Sequence, residues 1–189
     1  EGYLRGPRKR AGARSPRIHG RVMIDERPEI VESRARVGDW ESDTVRGPMV
    51  SKACVATHVD RKSYYLVARL LRERNGREMN RETVEGMTGL PVHTVTVDNG
   101  MEFASFKKLE AALDAKVYFA HEKCPWERAR NEHTNRLLRQ FWPRGTDFAD
   151  LHPADVRRVE ILLNNRPRKA LGYQTPKEVM QQLNVALVN

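Results

Sequence analysis

The most constraining stretch of the chain is Val92-His93-Thr94-Val95-Thr96-Val97, followed at once by Asp98-Asn99-Gly100. β-Branched residues occupy both alternating sets of positions, which predicts a strand buried on both faces, as inside an α/β sheet. Asn99 and Gly100 end it, because both tolerate the backbone of a tight turn. Asp98 is thereby delivered at the C-terminal end of a buried strand, where open α/β sheets place their sites. A further 33 residues separate Asp98 from Glu132, which falls in a helix expected from Trp126 to Phe141. Asn135, Arg136 and Arg139 follow Glu132 at helical spacing and share its face, while Thr134, Leu137, Leu138 and Phe141 form an apolar side. A carboxylate suits a hard cation and guanidiniums suit phosphate, so this face fits phosphodiester chemistry. Taken singly, the same features are ordinary: Glu-to-Arg at i+4 is a common surface pair, and Asp-Asn-Gly a common turn.

Upstream, Asp39-Trp40-Glu41-Ser42-Asp43-Thr44-Val45 alternates so that Asp39, Glu41 and Asp43 lie on one side of a strand. Three acids in a row repel unless cations lie between them, although an exposed edge strand would also carry them. Ala53 to Val59 and Tyr64 to Leu71 read as two further strands joined by the turn Asp60-Arg61-Lys62-Ser63, making a meander. Asn75 opens a helix to about Thr88, ended by Gly89-Leu90-Pro91. Phe103 to Leu113 is expected as a helix burying Phe106, Leu109, Ala112 and Leu113, and Val117 to Ala120 as a fifth strand. Pro153 to Asn165 forms a later helix with Val156, Val159, Ile161, Leu162 and Leu163 apolar; Thr175-Pro176 caps the last one. The order predicts an α/β three-layer domain with a mixed sheet. We divide it into a basic arm at 1–36, a core at 37–150 and C-terminal helices at 151–189 that pack on or extend the core. The arm reads either as a solvated linker or as a basic segment tracking DNA.

The chain has 189 residues and a net charge of +9, which points to a polyanionic partner, nucleic acid before a membrane surface. Cys54 and Cys124 form no CxxC pair, so neither a structural zinc site nor a disulfide framework is expected, and a reducing, cytoplasmic setting is. No apolar run approaches a membrane span and no signal peptide is visible. The first residue is Glu rather than Met, which reads as a piece of something longer. Trp40 and Trp126 are expected to pack, and His121 and His133 to be unligated surface histidines. Asn164-Asn165-Arg166-Pro167 ends its helix, by capping or in contact with DNA.

With these segments assembled, the chain resembles the integrase-core transposases of bacterial insertion sequences, within the ribonuclease-H-like DDE superfamily, and looks closest to the family named after insertion sequence thirty. The resemblance runs from about residue 20 to 180. It rests on Gly38 to Val45, Val59 to Ser63, Val97 to Ala104, Trp126, Asn131-Glu132, Leu137 to Gln140, Gly145 to Phe148, Leu163 to Lys169, Leu171 to Tyr173 and Thr175-Pro176. It implies a ribonuclease-H-like fold with a five-stranded mixed sheet flanked by helices. It implies a catalytic and metal-binding triad of Asp43, Asp98 and Glu132, holding two Mg²⁺ ions for which Mn²⁺ can substitute. Arg128, Arg130, Arg136 and Arg139 are then expected against DNA, and Glu41, Asn99, Glu102 and Asn131 behind the triad. DNA ends and target are the implied partners, in a homo-oligomer associated with the nucleoid. The implied activity is DNA cleavage and strand transfer at element ends; a catalytically inactive, DNA-binding descendant and a nuclease that hydrolyses without joining are the alternatives. The chain departs from the family pattern, which has Gly at Ser42, Ala129 and Arg136, Pro-Tyr near Glu122-Lys123 and Asn at His133. Larger residues in place of Gly remove permissive backbone near Glu132, so activity could be impaired.

Overall fold

A computed structural model describes residues 18–183. Among them, six strands form one mixed sheet: β1 (Val22–Met23), β2 (Asp39–Arg46), β3 (Cys54–Asp60), β4 (Leu66–Leu71), β5 (Thr94–Val97) and β6 (Lys116–Phe119). Their spatial order is β1-β6-β5-β2-β3-β4. β2, β3 and β4 are the antiparallel meander, and β5 and β6 add in parallel, each requiring a crossover. The helices are α1 (Glu29–Glu32), α2 (Gly76–Gly86), α3 (Phe106–Leu113), α4 (Ala129–Leu138), α5 (Pro153–Asn164) and α6 (Pro176–Gln182).

Because side chains alternate across a strand, the two faces of the sheet feed separate cores. On one face Val45, Val55, Val59, Leu66 and Ala68 pack against Leu138 of α4 and Val156, Val159 and Leu163 of α5. On the other, Ala56, Leu71, Val95, Val97 and Phe119 meet Met79 of α2 and Phe106 and Leu109 of α3. This is the expected three-layer arrangement. β2 lies at the centre of the sheet, so the edge-strand reading of its acids does not hold.

The details differ from expectation in instructive places. All five expected strands form, and a sixth, β1, pairs in parallel with β6. Residues 18–36 are therefore not a free arm: Ile18, Ile24 and Val31 are buried, as is Arg27. Residues 1–17 lie outside the described part. In α3, Ala112 is exposed and Leu113 only half-buried, though packed against the core, and the helix stops at Asp114 in a left-handed conformation. In α5, Ile161 and Leu162 are about half exposed, since the sheet-facing side is made of Val156, Val159, Glu160, Leu163 and Asn164. Trp40 is fully buried, but Trp126 is largely exposed, on a 3₁₀ turn (Pro125–Arg128) that precedes α4. No helix among the described residues is long and apolar enough to cross a membrane.

Candidate active site

The parallel register of β2 and β5 matches Asp39 with Thr94 and Glu41 with Thr96. Continued by two residues, it sets Asp43 beside Asp98, just past the end of β5. The two carboxylates share one cation. Arg128 reaches Asp43 Oδ2 with Nη1 at 3.2 Å and Asp98 Oδ2 with Nη2 at 3.7 Å. Asn135 Nδ2 donates to Asp43 Oδ2 at 3.2 Å, and the outer oxygens accept from backbone, Thr44 N–H at Asp43 and Gly100 N–H at Asp98. Burial pushes the Asp43 carboxyl above its ordinary range; Arg128 pulls it back and Asp98 adds to the rise.

Glu132 stands between Arg128 and Asn135 in the chain, at i+4 and i−3, and both of those residues touch Asp43. Its carboxylate is turned away, onto Arg136 at 3.7 Å, in a pair whose side chains are 54% and 72% exposed. Such an exposed pair is worth under about 1 kcal/mol, so little holds the side chain there. Among the described residues no group of three or more His, Cys, Asp or Glu is gathered closely enough to hold a metal ion. The structure thus brings Asp43 and Asp98 together, while Glu132 is paired with Arg136.

The acids of β2 are each neutralised by a different cation. Asp39 pairs with Arg36, Glu41 with Arg61 at 2.8 Å, and Asp43 with Arg128. Glu41 does more: its Oε2 accepts from the backbone N–H groups of Arg130 and Asn131, at 2.9 and 3.1 Å. It caps the first turn of α4 from a neighbouring strand and so fixes the helix that carries Glu132. Burial raises the Glu41 carboxyl, opposed by Arg61 and those two donors. Asn131 is buried and, with Asn135, meets the Thr57 hydroxyl at 3.1 Å. Thr57 is directly opposite Asp43 on β3.

Glu102 is buried behind Asp98 and accepts from Thr44 Oγ1 at 3.0 Å. Gly100 separates the two acids. A Cβ there would lie 2.6 Å from Glu102 Oε2 and 2.8 Å from Asp98 Oδ1, so a larger residue would push the two carboxylates aside. Asn99 turns away from the site, donating to Ala120 O at 2.8 Å and accepting from Arg21. The arginines divide. Arg136 and Arg139 line a surface groove with Glu132, Asn135 and Arg144 along Thr44–Gly47, Arg139 being anchored on Arg46 O at 2.7 Å. Arg130 instead stacks on Tyr64, 3.9 Å from the ring centroid. His121 is held between Asp25 and Glu127, which raises its pKa. His133 is exposed and lowered, by burial first and then by surrounding arginines.

The departures from the family pattern occupy regular backbone. Ser42 is in β2, Arg136 is in α4, and Ala129 has φ −59° and ψ −28°, a conformation any L-residue adopts. None requires glycine. Thr57, Arg61 and Thr44 were not singled out from sequence. Thr57 is findable only through the β2–β3 register, which pairs it with Asp43.

A six-stranded mixed sheet flanked by helices, with acids on its central strand and at the end of the next, is a ribonuclease-H-like core. Known proteins narrow the class. The chain is 39% identical over 189 aligned residues, 96% of its length, to the transposase for insertion sequence element IS4351 of Bacteroides fragilis. It is 37% identical, over 91% of its length, to a probable transposase for the insertion-like sequence element IS1161 of Streptococcus salivarius. It is 37% identical, over 88%, to a transposase for insertion sequence element IS30C of Escherichia coli. These homologues, 37–39% identical over about nine-tenths of the chain, are IS30-family transposases. The chain spans 58%, 50% and 43% of those three relatives, about half the length of each. No family model matches it.

Proposed function

We propose that the chain is the catalytic core of a DDE transposase that cuts and joins DNA strands at the ends of an insertion sequence, using divalent metal. The observation that carries this reading is the shared cation: Asp43 and Asp98 already present their inner oxygens to a single positive charge. These are hard oxygen donors at the end of a buried strand, and they fit Mg²⁺, with Mn²⁺ a substitute. Asp43, Asp98 and Glu132 would hold the ions, whose chemistry is to activate the attacking hydroxyl and to stabilise the departing 3′ oxygen.

The chain's own residues supply positioning. Asn135 orients the Asp43 carboxylate, Glu41 fixes the start of α4, and Glu102 and Gly100 set the turn that presents Asp98. Arg136, Arg139 and Arg144 give the groove beside Glu132 a positive wall for the DNA backbone, a contact without sequence reading. Joining two DNA ends calls for more than one copy of the chain, so self-association belongs to the same proposal.

The test is strand transfer from pre-cleaved element-end DNA with Mg²⁺ or Mn²⁺. Asp43→Asn, Asp98→Asn and Glu132→Gln are expected to lose both cleavage and joining while still binding DNA. Full activity in any one of them refutes its assignment. A second reading, a DNA-binding descendant without catalysis, draws on Glu132 being turned onto Arg136. It predicts salt-sensitive DNA binding and no joined product with either metal. Cleavage without joining would instead mark a nuclease.

A further inference from the structure

We propose that Arg128 is a built-in counterion: its guanidinium holds the cation position between Asp43 and Asp98 until divalent metal displaces it and it turns to a phosphate of bound DNA. The inference rests on the reading of Asp43 and Asp98 as metal ligands. One guanidinium divides its two terminal nitrogens between the two Oδ2 atoms, the same atoms that would face a metal ion. Both cations cannot occupy that position, since like charges a few ångströms apart repel strongly in a half-buried site.

The pose is not that of a permanent structural pair. An arginine fixed on a carboxylate makes two parallel bonds at about 2.7–2.9 Å. Arg128 makes one looser contact to each acid and a long one from Nη1 to Ser42 O at 3.4 Å, and its Nε is buried with no hydrogen-bond partner among the described residues. Its backbone, φ −125° and ψ 43°, lies outside the helix it precedes. Glu41 caps α4 independently, so the side chain can leave without unwinding the helix. In the metal-free state Arg128 relieves the repulsion between Asp43 and Asp98. In the loaded state it becomes a phosphate ligand beside the reacting strand. Metal and DNA then assist each other's binding, and the assistance is reciprocal.

The test is Mn²⁺ binding to the DNA-free chain, followed by electron paramagnetic resonance, with thermal melts in parallel. Arg128→Gln is expected to bind Mn²⁺ roughly tenfold more tightly, melt lower without metal and gain more from Mn²⁺ than the wild type does. Arg128→Lys, which keeps the charge but cannot span both acids, is expected to tighten Mn²⁺ binding by less. Unchanged or weaker Mn²⁺ binding in folded Arg128→Gln overturns the proposal; should that variant not fold, the same result in Arg128→Lys does so. Asp98→Asn separates the two ideas. Wild-type Mn²⁺ affinity in it refutes the metal-ligand reading itself, whereas its loss alongside an unchanged Arg128→Gln refutes only the counterion.

Discussion

Beneath Asp43, on the opposite face of the sheet, Ser42 and His58 face one another across β2 and β3 in a dry polar chain. Ser42 Oγ is 2.7 Å from His58 Nδ1, and Thr83 Oγ1 is 3.3 Å from Nε2. Thr83 gives its proton to Met79 O at 2.7 Å, so it can only accept from the ring. Nε2 therefore carries the hydrogen and the Ser42 hydroxyl donates to Nδ1. Full burial, with Arg69 adding, lowers the His58 pKa to about 3. An unfolded histidine binds its proton near pH 6.5, so the folded state is fully favoured above that value and loses stability as pH falls toward 3. Urea titrations from about pH 8 to about pH 5 should show a loss of about 1.4 kcal/mol per pH unit below 6.5, absent in His58→Gln. At the same scale, Glu41→Ala leaves buried Arg61 with only Glu32 and Val31 O as partners and strands two helix N–H groups. It should lower unfolding free energy by about 3 kcal/mol in the same denaturation assay.

Among the elements, β4 is one edge of the sheet, with backbone groups that would otherwise recruit another strand. α5 covers them with side chains. Asn164 Oδ1 accepts from Leu66 N–H and Asn164 Nδ2 donates to Leu66 O, both at 2.8 Å, and Glu160 Oε2 accepts from Ala68 N–H at 2.8 Å. Residues 160 and 164 are one helical turn apart, and Leu66 and Ala68 one strand repeat apart, so the two periodicities meet. Asn164 is thus a strand partner rather than a DNA contact. Asn164→Leu leaves two buried backbone groups unpaired and should cost about 2–4 kcal/mol, read as a lower urea midpoint, with a tendency to aggregate. The helix itself was legible from its apolar spacing and from the Thr175-Pro176 start of the next. The role of Asn164 was not, because a side chain that pairs with a strand about a hundred residues away leaves no local signature.

For the whole molecule, the sequence carried the layers, five strands and the two aspartates, since each rests on alternation or on a turn beside it. β1 escaped because two residues are too few to show a period, and its partner β6 lies far along the chain. The split of the arginines escaped as well: spacing puts Arg128, Arg130 and Arg136 on one helical segment, but only packing decides that Arg130 stacks on Tyr64 while Arg136 faces the groove. With a net charge of +9, DNA binding should weaken steeply with salt. Arg136→Ala should reduce the logarithmic salt slope by about 1, while Arg130→Ala should leave it unchanged. The central claim is that Asp43, Asp98 and Glu132 converge on metal, and anomalous diffraction from crystals grown with Mn²⁺ addresses it most directly. The account predicts an anomalous peak bound by Asp43 and Asp98, with Glu132 rotated off Arg136 toward it. A map with no peak between the two aspartates, or with Glu132 still paired to Arg136 beside a bound ion, would contradict it.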